Sequence, residues 1–469
     1  MRPKIQPQCD LEFPVSKLAL TQQYYAKYQA ISKILDQVPE ILALAHADLK
    51  HALEQVTGCE KDGARFRYTS DQVLRILLVQ VLEGLSLRQT VVRVDDSPAL
   101  RQFTRLGTQP MMDFTTLCKL KNAIRPGTWK QINRRLAQYA VREERIRGES
   151  LRLDTTAVET NIHWPTDSSL LWDSYRVLAR LIERARELDG QVVGERRLHL
   201  RRVRRDALAI TRKAAKRPDP EALKPLYRGL LERVDGICSL ALDVARGLTQ
   251  RIEALRYKEW HHAQAEALVA EIAEVQGLAQ RVIDQARRRV LHGESVPNDE
   301  KLFSVFEPHT ELLKRGKAAK PIEFGHMIQI EQVAEKFITN VEVFEKKPVE
   351  HELVAQALQR HEELFGRLPD QLAADRGYYR NPETLVALEA RIPVVSIAKK
   401  GRRTPEETER ERDPLFRHAQ RFRAGVEGTI SFLKRVLGLF RCFNRGWEHF
   451  VSTVRSSVFA HNLLILARC

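Results

Sequence analysis

Residues 149–163 read ESLRLDTTAVETNIH, and this stretch decides the expected fold. Leu151 and Leu153 alternate with polar residues that include Asp154, which is the period of a strand with one apolar and one polar face. Helical patterns precede this stretch, and a long helical tract follows it from about residue 168 to 296. A strand between two helical tracts predicts an α+β protein, with Asp154 on the polar face of its first strand.

Further strand patterns occur after residue 320. FGHMIQIEQ (324–332) and KFITNVEVFE (336–345) alternate like two antiparallel strands, LPDQLAADRGYY (368–379) contains a short strand ending at Asp375, and IPVVSIAKK (392–400) is typical of a buried strand. Helices are predicted at about 349–365, 381–390, 421–440 and 447–467, and a polar loop at 400–414. Three strands followed by alternating helix and strand is the order of an RNase H-like fold, so we expect a mixed five-stranded sheet with helices.

The stretch 421–440, RFRAGVEGTISFLKRVLGLF, has the period of an amphipathic helix. It places Arg423, Glu427 and Lys434 within a narrow arc beside an apolar stripe. An Arg–Glu pair at i and i+4 occurs on many helices and needs no function. The alternative is a carboxylate that holds a metal, with a cation on either side to receive phosphates.

An RNase H-like sheet would bring that glutamate to the other two carboxylates. Asp154 and Asp375 would lie on neighbouring strands, and the late helix would carry Glu427 over the edge of the sheet. Phosphodiester cleavage needs an activated water or 3′-hydroxyl and a stabilised leaving oxygen, which two Mg²⁺ ions about 3.5–4 Å apart provide. Asp and Glu oxygens are the hard ligands that Mg²⁺ prefers.

The segment from about 70 to 95 predicts two short helices joined by a tight turn. Ser70 is expected to cap the first helix, Gly84 to end it and Ser86 to cap the second. This is helix-turn-helix geometry, although an ordinary helical hairpin is about as common. Arg88 and Arg93 on the second helix favour a DNA-binding role. Before this segment, one helix is predicted at about 15–55.

Net charge and composition limit the partner and the compartment. The chain of 469 residues carries a net charge of +16, with a pI of about 9.6, which favours a nucleic-acid partner. No apolar run is long enough to cross a membrane, and the first residues lack a secretory signal. The six cysteines occur singly, which argues against a disulfide framework or a zinc ribbon and favours a reducing cytoplasm.

The helical tract between the first two carboxylates is too long to be a loop. We expect a separate helical insertion, with a helical pair or short coiled coil at 222–255 and 258–292. Its most basic part, ERRLHLRRVRRDALAITRKAAKR (195–217), suits either a clamp on DNA or a contact with a second subunit, and such runs are also often solvated helix faces. The arginines proposed to bind DNA are Arg201, Arg202, Arg204 and Arg205.

Other polar and aromatic residues near these motifs have simpler interpretations. We expect Asp167, Asp173 and Asp370 to be surface or capping residues, and His163 and His326 to be structural. Stacking on a base is an alternative role for Trp164 and Trp172, for which core packing is the first expectation.

Four stretches together resemble the DDE transposases of bacterial insertion sequences, most closely the ISNCY-type group. They are DQVLRILLVQVLEGLSLRQ (71–89), LRLDTTAVETNIHWPTDSSLLWDSY (151–175), LAADRGYY (372–379) and RFRAGVEGTISFLKR (421–435). The last follows the Tyr-(2)-Arg-(3)-Glu-(6)-Lys signature of related transposases, except that Gln420 stands at the Tyr position. The long insertion also lies before the second carboxylate, whereas relatives insert before the glutamate.

The resemblance implies a metal-binding triad of Asp154, Asp375 and Glu427 with two Mg²⁺ ions, for which Mn²⁺ is expected to substitute. It implies that Arg423 and Lys434 hold phosphates of the transposon end. The expected partners are double-stranded DNA, as transposon ends and target, and a second copy of the chain in a synaptic homodimer. A bacterial cytoplasmic protein, bound to the nucleoid when on DNA, is expected.

The predicted domains follow from these assignments. An all-α DNA-binding region occupies 1–147, the catalytic domain 148–166 and 297–469, and the all-α insertion 167–296. Two other functions fit the same residues: an RNase H-like nuclease without strand transfer, and a non-catalytic DNA-binding protein derived from a transposase.

Overall fold

The computed structural model describes residues 18–57, 68–216, 219–254, 257–314 and 321–468. Contacts divide the chain into two compact units. Unit 1 comprises Met1–Glu159 and His326–Cys469, and unit 2 comprises Thr160–Gly325. The predicted insertion, 167–296, lies entirely within unit 2. No helix in the described ranges is long and apolar enough to cross a membrane.

Helices fill unit 1 before its first strand. They are α1 (Ala19–Gln37), α2 (Pro39–Thr57), α3 (Ser70–Leu82), α4 (Leu87–Asp96), α5 (Pro98–Phe103), α6 (Phe114–Ala123) and α7 (Pro126–Arg142). The single helix predicted at 15–55 is wrong, because Pro39 begins a new helix after Val38. Proline lacks the backbone N–H that a continuing helix needs and is tolerated in the first turn. The predicted start, at residue 15, lies outside the described residues.

The two helices predicted between 70 and 95 are α3 and α4. Thr69, rather than Ser70, caps α3, because its side chain accepts from Gln72 N in a capping box. Ser86 caps α4 in the same way through Gln89. Between them, Gly84 has a φ of 62°, a left-handed conformation that glycine adopts without strain.

Unit 2 is largely helical. It contains α8 (Asp167–Leu188), α9 (Gly190–Val193), α10 (Leu200–Lys216), α11 (Pro220–Glu253) and α12 (Glu259–Ala286). Leucine, isoleucine, valine and alanine side chains of α8, α11 and α12 form its apolar core. The predicted helical pair at 222–255 and 258–292 corresponds to α11 and α12, which pack on one another and on α8.

The sheet has the five predicted strands and two short ones that the sequence did not indicate. The strands are β1 (Ser150–Thr160), β2 (Glu311–Lys314), β3 (Ile322–Val333), β4 (Ile338–Val343), β5 (Gln371–Ala374), β6 (Val394–Ile397) and β7 (Arg441–Cys442). The order is β2-β3-β1-β5-β6, with β4 also on β3 and β7 on β1. The pairs β3/β4 and β2/β3 are antiparallel, whereas β1/β5 and β5/β6 are parallel. The predicted α+β class and mixed sheet are confirmed.

The remaining helices of unit 1 alternate with its last strands. They are α13 (Leu353–Phe365), α14 (Pro382–Glu389), α15 (Pro405–Arg412), α16 (Pro414–Arg435) and α17 (Trp447–Leu466). The loop predicted at 400–414 is wrong, because Thr404 and Glu407 form a capping box that starts α15. The helix predicted at 421–440 begins earlier, at Pro414, and ends at Arg435.

The N-terminal helices share one apolar core with the strands and helices that follow. Trp129 of α7 packs against Phe459 of α17, with ring centroids 6.0 Å apart. Residues of α1–α7, β3, β4 and α17 belong to the same buried cluster. The predicted boundary near residue 147 therefore does not separate two cores, and the division into DNA-binding and catalytic regions stays a prediction.

Candidate active site

Asp154 lies on the central strand of the sheet. The strand β1 is buried along almost its whole length, and Asp154 is only 8% exposed. Its Oδ1 accepts a hydrogen bond of 2.8 Å from the backbone N–H of Thr155. A buried carboxylate is costly unless it is paired or binds a cation, so this position indicates more than a surface role.

Asp375 follows β5, the parallel neighbour of β1. The register pairs Leu153 with Ala374, so Asp154 and Asp375 are the next residues along two adjacent parallel chain segments, Asp154 within β1 and Asp375 directly after β5. Neighbouring strands lie about 5 Å apart, and the two carboxylates therefore begin from adjacent backbone positions. The Oδ1 atom of Asp375 accepts from Gly377 N at 2.7 Å, which caps the turn after the strand.

Glu427 is linked to Asp154 through an arginine. On α16, Arg423 Nη2 lies 3.3 Å from Glu427 Oε1, and Arg423 Nη1 lies 3.8 Å from Asp154 Oδ2. The Glu427 side chain is 67% exposed, whereas that of Arg423 is 20% exposed. The Nε of Arg423 is buried and has no hydrogen-bond partner among the described residues. One guanidinium thus stands between two of the three predicted ligands.

Lys434 lies in the last turn of the same helix and is partly buried. It follows Glu427 by seven residues, about two helical turns, so the two side chains leave α16 on nearly the same face. The predicted set of Arg423, Glu427 and Lys434 is therefore on one helix.

Glu350 is a fourth carboxylate at this site that the sequence did not reveal. It lies in the short 3₁₀ turn before α13, and its Oε1 accepts a hydrogen bond of 2.5 Å from Thr155 Oγ1. A Cβ placed on Gly377 would lie 1.7 Å from Glu350 Oε2. Glu350 therefore sits between the residues that follow Asp154 and Asp375. The local sequence VEHE carries no motif that could have identified it.

Tyr378 is buried among these acidic groups. It is 2% exposed, and Gln329 Nε2 donates to its hydroxyl at 3.5 Å. Burial raises the pKa of Tyr378 well above its usual value, and the charges of Asp154 and Glu350 raise it further. The phenol is therefore neutral at physiological pH and lies next to the carboxylates as an uncharged neighbour.

The three predicted metal ligands are not assembled around one point. In the described part of the chain, no group of three or more His, Cys, Asp or Glu side chains could hold a metal ion as placed. The donors are nevertheless hard oxygens of the kind that Mg²⁺ binds. Arg423, a cation, contacts both Asp154 and Glu427 in this arrangement.

Gln420, at the Tyr position of the family signature, contacts the sheet. Its Nε2 donates to the carbonyl of Ser396 at 2.8 Å and to that of Ala374 at 3.3 Å. These acceptors belong to the ends of β6 and β5, directly beside Asp375. The side chain therefore helps to hold α16 on the sheet.

Both arginines predicted to read DNA are exposed on α4. Arg88 places its guanidinium 4.4 Å from the ring centroid of Phe114, a cation–π contact that limits its motion. Arg93 lies near Tyr24. Burial raises the pKa of Tyr24, and the charge of Arg93 opposes part of that rise.

The four arginines at the start of α10 face solvent, while Val203, Ala207 and Ile210 are buried. Among the described residues, none of the four takes part in an ion pair. The next acidic residue on the helix, Asp206, is paired instead with Arg233, with Nε–Oδ2 at 3.0 Å.

Two of the remaining aspartates differ from expectation. Asp167 is buried and pairs with Arg289, with Nη1–Oδ2 at 2.9 Å. Asp173 is 2% exposed and accepts from His163 Nε2 at 2.6 Å. Both were expected at the surface or as caps, but each carboxylate is buried and held by a basic side chain that is itself partly exposed, a pairing that the sequence does not show. Asp370 is a surface residue, as expected.

The histidines and tryptophans are placed as follows. The hydrogen bond with Asp173 raises the pKa of His163. His326 is fully buried against the rings of Trp447 and Phe450. Trp172 packs on the core of unit 2, but Trp164 is 65% exposed, so core packing is wrong for Trp164.

Residues 25–123 match the model of a family described as Transposase domain (DUF772). The match covers α2–α6 and most of α1 and ends before β1, so it bears on the N-terminal helices and not on the carboxylates. It supports a transposase, and with it a DNA-processing enzyme. No curated protein and no solved structure matches the chain.

Proposed function

We propose that this protein is a DDE-type transposase with an RNase H-like catalytic core. It binds the terminal inverted repeats of its insertion sequence, cleaves the 3′ ends and joins the freed 3′-hydroxyls to target DNA. A homodimer would hold two ends together, in the bacterial cytoplasm at the nucleoid. The transposase-domain match and the net charge of +16 support this assignment.

One observation carries the catalytic part of the proposal: the register of β1 and β5. Asp154 and Asp375 are far apart in sequence, and parallel pairing brings them to adjacent positions. The strands β4, β3, β1, β5 and β6 follow one another across the sheet, in the order expected for an RNase H-like core. Arg423 of α16 lies between Asp154 and Glu427, which supports Glu427 as the third carboxylate of the site.

Asp154, Asp375 and Glu427 would hold the two Mg²⁺ ions, or Mn²⁺ in their place. The ions would activate the attacking water or 3′-hydroxyl and stabilise the leaving oxygen. To bind them, Asp154 and Glu427 would exchange their contacts with Arg423 for contacts with the ions. The displaced guanidinium and Lys434 would then hold phosphates of the transposon end, since an arginine fork fits phosphate oxygens closely.

The test uses the full-length protein, a duplex ending in the element's terminal repeat and a supercoiled target plasmid, with Mg²⁺ or Mn²⁺. The terminal repeat is obtained from short inverted repeats in the DNA that flanks the gene. We expect nicking at the 3′ end followed by joined products. Cleavage without joining would indicate the nuclease, and DNA binding without cleavage would indicate the non-catalytic protein.

The exposed face of α4 gives a second prediction. Replacing Arg88 or Arg93 by Ala is expected to weaken binding to the terminal repeat by about 1–3 kcal/mol if the residue reads a base edge. The measurement compares terminal-repeat and random duplexes with full-length protein, because the N-terminal helices share their core with α17. Equal loss on both duplexes would reassign the arginine to phosphate contact, which positions without specifying.

The basic face of α10 gives a third prediction. Replacing Arg201, Arg202, Arg204 and Arg205 by Gln is expected to weaken DNA binding and flatten its salt dependence, because each lost phosphate contact lowers the log–log slope by roughly 0.9. Arg184 and Arg246 are matched controls, since each is already paired with an acidic residue. An unchanged slope with loss of paired-end complexes on a native gel would indicate a dimer contact. If neither DNA binding nor the paired-end complexes change, the four arginines form only a solvated helix face.

A further inference from the structure

Arg152 is a buried cation two residues before Asp154 on β1. It is 4% exposed, and no ion pair in the described ranges includes it. Burial lowers its pKa to about 10, so it stays protonated at neutral pH. A buried charge without a counter-charge is costly to folding, and its contacts must explain why it is there.

Those contacts join the strand to the helix of Glu427. Arg152 Nη1 donates to the carbonyl of Phe422 at 2.6 Å, and the guanidinium lies 4.6 Å from the centroid of the Phe422 ring. Arg152 Nε donates to Gln332 Oε1 at 2.8 Å. The planar guanidinium can satisfy both acceptors in fixed directions, which an apolar side chain could not do.

Gln332 extends the connection about two turns further along α16. It is fully buried, and its Nε2 donates to Thr429 Oγ1 at 2.9 Å and to the carbonyl of Lys336 at 2.8 Å. The helix is therefore held at Phe422, which precedes Glu427, and at Thr429, which follows it. Both contacts lead back to Arg152.

Glycine at position 425 allows this close approach. A Cβ placed on Gly425 would lie 2.5 Å from Arg152 Nη1, well inside a normal contact distance. Gly428, three residues later on the same helix, has no atom within 4 Å of such a Cβ. The two glycines thus differ in the one contact that matters for Arg152.

From these contacts we infer that Arg152 is a positioning residue that fixes α16 against β1, so that Arg423 and Glu427 stand over Asp154. The inference rests on the proposed function of this site. Arg152 and Asp154 share one strand, and therefore a shift of the helix relative to Arg152 is also a shift of Glu427 relative to Asp154. Displacements of about 1 Å in a catalytic constellation can slow a reaction by roughly a hundredfold.

The test compares Gly425→Ala with Gly428→Ala in the full-length protein. Both changes favour the helix by propensity, and only the first disturbs Arg152. We expect Gly425→Ala to lower the single-turnover cleavage rate roughly 10- to 100-fold and to reduce the rise in Tm on adding Mn²⁺. Its affinity for DNA without metal should match that of Gly428→Ala, which should cleave at the wild-type rate.

A double-mutant cycle identifies Arg152 as the intermediary. Arg152→Met alone should also slow cleavage, and adding Gly425→Ala to it should cost little more, because the group that clashes is gone. Equal rates for the two glycine variants, or additive effects in the cycle, would overturn the inference while leaving the proposed function intact. If the wild-type protein neither cleaves DNA nor shows a higher Tm with Mn²⁺, both the inference and the proposed function are contradicted.

Discussion

Asp154→Asn and Asp375→Asn are each expected to reduce DNA strand cleavage by roughly a thousandfold, equivalent to about 4 kcal/mol of transition-state stabilisation. Asparagine retains the acceptor that Asp154 offers to Thr155 N and Asp375 offers to Gly377 N. It removes the negative charge that a hard metal ion needs. Binding to DNA without metal should be unchanged or stronger, since a negative charge near phosphate is removed.

Asp370→Asn is the matched control. It directly precedes β5, whereas Asp375 directly follows that strand; its side chain is 61% exposed and its partner is Arg367. Cleavage by this variant should equal that of the wild type. Measured single-turnover rates in Mg²⁺ decide the matter, and near-normal cleavage by Asp154→Asn or Asp375→Asn would remove that residue from the site.

The same assay separates the two glutamates. Glu427→Gln is expected to behave like the aspartate variants. If Glu427→Gln cleaves normally and Glu350→Gln does not, the third carboxylate is the one bonded to Thr155 rather than the one on α16.

Acid should destabilise the fold strongly through two buried histidines. His361 on α13 and His461 on α17 are 2% and 4% exposed, and burial lowers the pKa of each to about 4. Each places Nε2 at a backbone carbonyl, of Gly148 at 2.9 Å and of Lys336 at 3.0 Å. The Nδ1 atom of each ring is buried without a partner among the described residues, so a proton added there meets no acceptor.

The direction of the pH effect follows from the two pKa values. In the unfolded chain these rings take up protons near pH 6.5, whereas the folded protein resists protonation until about pH 4. The unfolded state therefore binds more protons between these values, and the free energy of unfolding falls as the pH falls through that window. Above about pH 6.5 the effect is absent. The full loss is roughly 3 kcal/mol for each ring.

Urea unfolding at several pH values between 7.5 and 4.5 tests this. The His361→Gln/His461→Gln variant keeps an N–H donor for each carbonyl and cannot titrate, so its stability should depend less on pH than that of the wild type. His51→Gln is the control, because its side chain is 82% exposed. Identical pH dependence in the double variant and the wild type would contradict the assignment.

Periodicity predicted the larger elements because their apolar residues recur at the spacing of a strand or of a helix. Leu151 and Leu153 are fully buried, as their spacing indicated. The predictions failed for elements that do not depend on an apolar period. Pro39 interrupts a continuous apolar pattern, and α15 is almost entirely charged, so its start depends on the capping box of Thr404 rather than on a buried face. The strand β7 has only two residues, and the four residues of β2, ELLK, do not alternate between apolar and polar.

The site was predictable only as separate pieces. The sequence indicated Asp154, Asp375 and Glu427 from their elements, and the structure brings the first two to adjacent positions. The sequence did not indicate that Arg423 would lie between Asp154 and Glu427. Nor could it indicate Glu350 or Arg152, because their contacts, with Thr155 and Phe422, join segments about 200 and 270 residues apart and depend on tertiary packing.

The two ends of unit 2 meet each other. It begins at Thr160 and ends at Gly325, and Thr160 Oγ1 lies 2.9 Å from Thr310 Oγ1 and 3.5 Å from the carbonyl of Phe324. A segment whose ends are neighbours can be added to a host chain or removed from it with little change in loop-closure entropy. A single genetic insertion or deletion at this point would therefore add or remove the whole of unit 2. The part of β1 that carries Asp154 would be retained.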